Sequence, residues 1–258
     1  MNVIHLCGGI GNQLFQYAFG RVQQERGVDV RYNLSWYKIT QLPPRPYRLD
    51  KFKIDIKVSP FIRQPIIKES GFSLSYSKME NVNFHGYWQY LPYYKDILPI
   101  LRKELCIREE FYTEEFLDLR RQIIENPSVS LHVRRQDYLD RSGFGCLSLT
   151  YYFAALKKVE GDVFIFSDDI EWCKHTFKED KLLRKITFIN LQDYLVLELM
   201  KCCKHHILAN STFSWWAGIL DEKTDGIIIT PARYIVATGA IKSRDMWLHY
   251  PEHWIKIT

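Results

Sequence analysis

From Ser128 onward, short apolar runs alternate with longer segments of helical period, and this alternation restricts the fold more than any other feature of the chain. Ser128 to Arg134, Val163 to Ser167, Ile186 to Asn190, His205 to Ala209 and Ile227 to Thr230 read as strands. Leu149 to Glu160, Ile170 to Lys178, Asp193 to Cys203 and Thr212 to Asp221 read as the helices between them. Strands with a helix in every connection pair in parallel, and the helices cover both faces of the sheet, so the expected class is α/β. The N-terminal part is a looser version of the same plan. Val3 to Cys7 reads as a strand and Asn12 to Arg26 as a helix with an apolar face at Leu14, Phe15, Ala18, Phe19 and Val22. Gly27 reads as its C-terminal cap and Val28 to Tyr32 as a second strand. From Ser35 to Asn81 the residues Pro43, Pro44, Pro46, Pro60 and Pro65 break the pattern into loop-rich surface. Asn83 to Tyr90 then reads as a strand, and Tyr93 to Leu105, split at Pro99, and Glu109 to Glu125 as helices. The turn at Glu125 to Val129 sets the expected boundary between a domain 1–126 and a domain 127–258. A chain of 258 residues that is 47% hydrophobic can bury one large core or two small ones of roughly 100 to 150 residues each.

The charge pattern narrows the partners. The formal net charge is +5, with lysine and arginine dispersed rather than gathered in blocks. Such a surface suits small anionic ligands, or contact with an anionic membrane face, better than nucleic acid. Cys7, Cys106, Cys146, Cys173, Cys202 and Cys203 are irregularly spaced and read as reduced thiols of a cytoplasmic protein. Met1 to Cys7 has neither a basic leader nor a cleavage site, and no apolar run approaches the roughly eighteen residues of a membrane span. A phosphate-binding G-x-x-x-x-G-K-[ST] loop is absent, as are D-x-D, zinc-ligand spacings and G-x-S-x-G, and no Ser-His-Asp arrangement is legible. His205 and His206 are neighbours on one strand and point to opposite faces. No metal is expected, and nothing in the sequence marks an oligomeric state.

Ligands of open α/β sheets gather at the carboxyl ends of the strands. Along Ser128 to Arg134, Val129, Leu131 and Val133 share one side while Ser130, His132 and Arg134 share the other, which puts Arg134 at the strand mouth. Arg134 and Arg135 together call for an anion, and a diphosphate fits two guanidiniums. The alternative is an internal network in which they pair with Asp137 and Asp140. After Val163 to Phe166 stand Ser167, Asp168 and Asp169, where one carboxylate suits a ribose or base contact and one suits a helix cap. After His205 to Ala209, the turn Asn210 to Gly218 opens a helix with Ser211, Thr212 and Ser214 beside its free amides, a favourable place for phosphate. The opening Gly8-Gly9-Ile10-Gly11-Asn12-Gln13-Leu14 lacks the third glycine of a dinucleotide loop, and Asp29 stands too early for the ribose partner.

Three blocks, Gly8 to Gly20, Leu131 to Tyr138 and Ala209 to Leu220, resemble the motifs of the bacterial α-1,2-fucosyltransferases of glycosyltransferase family 11. Phe84 to Gln89 and Phe166 to Lys174 look like further blocks of that family, so the resemblance runs from Val3 to about Pro231. It implies a GT-B architecture of two Rossmann-like domains facing across a cleft, the N-terminal one on the acceptor side and the C-terminal one binding GDP-β-L-fucose. It implies inverting, metal-independent transfer to the 2-hydroxyl of a β-galactoside in a glycan. Carried over, Arg134 holds the diphosphate and stabilises departing GDP, supported by Arg135, with His132 lining the same pocket. Asp168 or Asp169 meets guanine or ribose, and Ser211, Thr212 and Phe213 bind phosphate. Gly11 and Asn12 approach the fucosyl phosphate from the N-terminal loop, and Asp137 is the candidate for the acceptor's base. Gln136 stands where the family's His-Val-Arg-Arg-Gly-Asp-Tyr block has glycine. The His-x-Arg-Arg block also resembles motifs of α-1,6- and protein O-fucosyltransferases, which keeps another linkage open. A module that binds nucleotide or single-stranded RNA without catalysis is the alternative outside the enzymes.

Overall fold

The computed structural model describes residues 1–39, 45–60, 62–71, 73–140, 145–178, 184–223, 225–233 and 250–258. Pro43 and Pro44 of the proline-rich stretch lie outside these residues. The chain divides into two compact units, Met1–Arg108 and Glu109–Thr258.

The first unit is built on a parallel sheet of β1 (Asn2–His5), β2 (Val30–Asn33), β3 (Ile66–Lys68) and β4 (Asn83–His85), in the order β2-β1-β4-β3. Helix α1 (Ile10–Glu25) connects β1 to β2. It ends as expected at Gly27, whose φ of +82° lets its N–H donate to the Gln24 carbonyl while the Val28 N–H donates to that of Gln23. These two hydrogen bonds satisfy carbonyls that a helix end otherwise leaves open. Buried Phe19 stacks on Trp88 at 4.2 Å and meets Phe84 edge-on at 5.1 Å, joining helix to sheet. Strand β4 stops at His85 rather than Tyr90 because Trp88 takes a φ of +58°. That left-handed conformation costs roughly 1–2 kcal/mol in a residue with a Cβ. Full burial of the indole offsets the cost, and the Glu69 carboxylate accepts from the Tyr87 and Trp88 N–H groups at 2.8 and 3.0 Å. Pro99 lies in the first turn of α2 (Leu98–Glu104), where its missing N–H costs nothing, so it begins a helix rather than splitting one.

The second unit begins with α3 (Glu114–Glu125), capped by the Thr113 hydroxyl, which accepts from the Phe116 N–H. This helix packs on α7 (Asp193–Cys202), so it belongs with the sheet that follows it and the units meet at 108/109. That sheet comprises β5 (Ser128–Val133), β6 (Asp162–Ser167), β7 (Ile186–Ile189), β8 (His205–Ile207), β9 (Ile228–Pro231) and β10 (Ile255–Ile257). All are parallel, in the order β10-β9-β8-β5-β6-β7. Helices α4 (Gln136–Asp140), α5 (Leu149–Leu156), α6 (Ile170–Thr176) and α8 (Thr212–Leu220) lie among the other connections. Val129, Leu131 and Val133 of β5 enter one core with Tyr151, Tyr152, Leu156, Cys173 and Phe177, as period-two alternation requires.

Candidate functional site

From the β7 edge, the second sheet runs third, second, first, fourth, fifth and sixth strand, the doubly wound order. The chain leaves β5 outward to β6 and β7, then returns to the other side of β5 for β8. Neighbouring connections diverge at that reversal, and the carboxyl ends of β5 and β8 border a crevice suited to a ligand. His132, Arg134 and Arg135 follow from β5, and the turn from Asn210 to Ser214 follows from β8.

The arginines are held by three aspartates. Arg134 reaches Asp137 at 2.7 Å and Asp168 at 3.2 Å, and its guanidinium lies 5.5 Å from the centre of the Tyr138 ring. The Arg135 backbone N–H donates to Asp168 at 2.9 Å and its Nε–H to Asp169 at 3.0 Å. The Trp172 indole covers the Arg135 guanidinium at 3.8 Å. Asp169 also caps α6 by accepting from the Trp172 N–H, so of the two adjacent aspartates one is the cap and the other bridges the arginines. The internal network therefore exists, with Asp137, Asp168 and Asp169 as partners; the side chain of Asp140 lies outside the described ones. Gln136 opens α4 without a left-handed φ, so a residue with a side chain is accommodated there.

His132 lies on the β5 face opposite the core, 5.4 Å from the Phe213 ring in the first turn of α8. It is 4% exposed and its Nδ1 meets no hydrogen-bond partner among the described residues. Burial, with the nearby Arg134 charge, pushes its pKa down to about 3, so the imidazole is neutral near neutral pH. The Tyr138 hydroxyl donates to the Asn210 carbonyl at 3.0 Å, joining the segment after β5 to the turn after β8. In that turn Ser211 caps α8 by accepting from the Phe213 N–H, and Thr212 begins the helix. Ser214 donates back to the Ala209 and Ser211 carbonyls, and Trp215 and Trp216 are buried core. The fold thus brings His132, Arg134, Arg135, Asp137, Asp168, Asp169, Ser211, Thr212 and Phe213 to neighbouring strand ends of one sheet. The Trp172 stack and the His132–Phe213 contact were not legible in the sequence. Each joins residues far apart in the chain, and tryptophan or phenylalanine beside a turn reads as core.

A Ser-His-Asp chain does occur, contrary to the sequence reading. Ser130 Oγ lies 2.9 Å from His206 Nδ1, and His206 Nε2 lies 3.0 Å from Asp221 Oδ2. Burial raises the Asp221 pKa, but its contacts with His206 and Lys223 outweigh that and hold it below the usual carboxylate range. Ser130 and His206 are fully buried, which denies a substrate access to the hydroxyl, and the chain ties the far end of α8 to β5 and β8.

In the first unit, Gly11 and Asn12 occupy the first turn of α1. Gly8 has a φ of +80°, and a Cβ there would lie 2.6 Å from Asn12 Nδ2. The amides that follow are structural. Gln13 donates to the Gly8 and Pro46 carbonyls and accepts from the Arg48 N–H, while Gln16 accepts from the Cys7 N–H and donates to the Gly86 carbonyl. Asn12 is engaged as well, its Oδ1 accepting from Gln89 Nε2 at 2.9 Å in the loop after β4. Among the described residues, no group of three or more His, Cys, Asp or Glu side chains is arranged to hold a metal ion, and no helix is long and apolar enough to cross a membrane.

A family model described as glycosyl transferase family 11 matches residues 1–256. An α-1,2-colitosyltransferase of Escherichia coli is 33% identical over 99% of this chain and 98% of its own length. The O-antigen biosynthesis glycosyltransferase WbnK, also of Escherichia coli, is 26% identical over 95% of this chain and 98% of its own. Among solved structures, NodZ α-1,6-fucosyltransferase soaked with GDP-fucose superposes with a TM-score of 0.51 at 12% identity, covering 85% of this chain and 92% of that one. The fold, two parallel α/β units, is of the GT-B type.

Proposed function

The chain belongs to glycosyltransferase family 11, and we propose that it moves L-fucose from GDP-β-L-fucose to the 2-hydroxyl of a β-galactoside, inverting the anomeric centre without a metal. The observation that carries this reading is the convergence of Arg134, Arg135 and the orphaned His132 Nδ1 at the reversal of the second sheet. The similarity to a protein soaked with GDP-fucose supports the choice of donor.

The second unit binds the donor and the first unit faces the acceptor. As the sugar–phosphate bond breaks, positive charge spreads over the fucosyl ring and negative charge grows on GDP. Arg134 exchanges its contacts with Asp137 and Asp168 for diphosphate oxygens and stabilises that charge, acting as a preorganised electrostatic group. Arg135, held by Trp172 and Asp169, keeps its orientation and supports Arg134. Neutral His132 contributes a ring nitrogen without adding charge, and Asp168 turns to ribose or guanine once the diphosphate takes its place. Ser211, Thr212 and Phe213 present hydroxyl and backbone donors at the start of α8, and Gly11 and Asn12 approach the fucosyl phosphate. Asp137 serves as base only after it parts from Arg134. The protein works in the cytoplasm and touches the inner membrane face through its basic surface, where lipid-linked glycans are assembled; nucleic acid is not a partner.

Incubation of the purified protein with GDP-fucose and lactose, followed by NMR of the product, tests the proposal. An α-1,2-fucosyl product is expected; absence of GDP release across a panel of galactosides, with no binding of GDP-fucose, sinks it. A product with another linkage, such as α-1,6 to N-acetylglucosamine, keeps fucosyl transfer and corrects the acceptor. One observation favours a second donor, since the 33% identical relative is a colitosyltransferase. Colitose is L-fucose without its 3-hydroxyl, and a site that hydrogen-bonds this hydroxyl discriminates against the sugar that lacks it. Turnover of GDP-colitose alongside GDP-fucose decides between the two sugars.

A further inference from the structure

In the first sheet, of order β2-β1-β4-β3, the two central neighbours β1 and β4 end at their carboxyl ends on His5 and His85. The two imidazoles stack with centroids 4.5 Å apart and planes 12° from parallel. His5 Nε2 lies 3.3 Å from Ser35 Oγ, and the His85 ring hydrogen-bonds to no described residue. Gln16 ties the adjoining loops together through the Cys7 N–H and the Gly86 carbonyl, which fixes the distance between the two strand ends. Tyr37 donates to the Gly8 carbonyl in the same loop, and Tyr87 is 40% exposed just beyond His85.

We infer that the stacked His5–His85 pair is a sugar-binding subsite, in which the imidazole nitrogens hydrogen-bond the ring hydroxyls of the acceptor glycan. The pair lies at the carboxyl ends of two parallel neighbours, the end of an open α/β sheet at which ligands gather. Its chemistry suits a neutral, polyhydroxylated ligand, because a neutral imidazole offers one donor and one acceptor, each able to meet a hydroxyl. Tyr87, two residues beyond His85 and 40% exposed, is an aromatic ring of the kind on which the apolar side of a sugar packs. The inference rests on the reading of this chain as a transferase with a glycan acceptor, and it assigns a part of that acceptor's site.

Burial, then the neighbouring His85, lowers the His5 pKa from 6.5, and burial, then Lys68, lowers that of His85. The ionisable surroundings are Lys68 at the end of β3, Glu69 after it, whose carboxylate is engaged by two backbone N–H groups, Cys7 after β1, and the tyrosines Tyr37 and Tyr87. Both rings are therefore neutral near neutral pH. Acidification below 6.5 protonates them and removes the acceptor lone pairs.

His85→Phe and His5→Phe keep a ring in the stack and remove its nitrogens. With GDP-fucose and lactose, each is expected to raise the KM for lactose about three- to tenfold, the loss of one neutral hydrogen bond, while GDP affinity stays unchanged. In the unmodified protein the lactose KM should also climb as pH falls below 6.5, and the double variant should lose that climb. An unchanged lactose KM in both single variants, or an acid climb that persists in the double variant, overturns the assignment. If the unmodified protein fucosylates no galactoside, the functional reading fails, and the subsite is tested by NMR of the His5 and His85 ring protons in titrations with galactose, glucose and N-acetylglucosamine. Shifts with at least one sugar support the subsite, and none with any sugar refutes it.

Discussion

Replacing Arg134 by alanine tests its proposed role at the diphosphate. The guanidinium is about four-fifths buried and reaches two carboxylates at 2.7 and 3.2 Å, contacts that the proposed mechanism exchanges for diphosphate oxygens when the donor binds. Loss of one preorganised donor to the transition-state charge costs about 2.7–4 kcal/mol, a fall of about two to three orders of magnitude in kcat/KM. The same change leaves Asp137 and Asp168, each under one-fifth exposed, without their cation. Because both keep some contact with water, the expected stability loss is modest, about 1–2 kcal/mol. The assay is GDP release at varied GDP-fucose with lactose in excess, run well below the melting temperature of the variant. Arg134→Lys keeps the charge without the two-pronged geometry and should fall between the two. Activity of Arg134→Ala within a few-fold of the unmodified protein, in a sample that melts cooperatively, would refute the placement of the diphosphate.

Arg135→Ala should cost less, about tenfold in kcat/KM, since that guanidinium is already committed to Trp172 and Asp169; a loss equal to that of Arg134→Ala would make it a direct ligand. Asn12→Ala should impair transfer more than it weakens GDP binding, and equal losses in the turnover and calorimetric measurements would make the loop a nucleotide site instead. His132 takes up no proton until about pH 3 when folded, whereas an unfolded histidine does so near 6.5. The unfolded state then binds more protons, so stability falls by about 1.4 kcal/mol per pH unit as pH drops through that window. Urea denaturation at stepped pH should reveal this slope and His132→Gln should reduce it; an unreduced slope refutes the burial of a neutral ring.

The second sheet was legible because its strands are central, apolar and separated by helices, and because the alternation along β5 sets Val129, Leu131 and Val133 against His132 and Arg134. The first sheet was harder to read. Strand β3 has only Ile66–Lys68 and follows Pro65, and β10 has only Ile255–Ile257 at the sheet's edge, so neither carries enough period-two signal. The early end of β4 depends on Trp88 adopting a left-handed backbone that only tertiary packing stabilises. The assignment of α3 to the second unit depends on its contact with α7, almost seventy residues later in the chain, which no local pattern encodes. At the candidate site, the sequence placed the arginines at the strand mouth from periodicity alone. Which aspartate caps α6 and which bridges the arginines depends on side-chain direction. The Ser130–His206–Asp221 chain and the His5–His85 stack lie across neighbouring strands, so they emerge only once the strand order is known.

Calorimetric titration of the protein with GDP, and with ADP and UDP for comparison, asks whether the protein holds the leaving group of the proposed donor. GDP should bind saturably, more tightly than ADP or UDP, and Arg134→Ala should weaken it. Failure to bind GDP, or equal affinity for all three diphosphates with no effect of Arg134→Ala, would contradict the proposal.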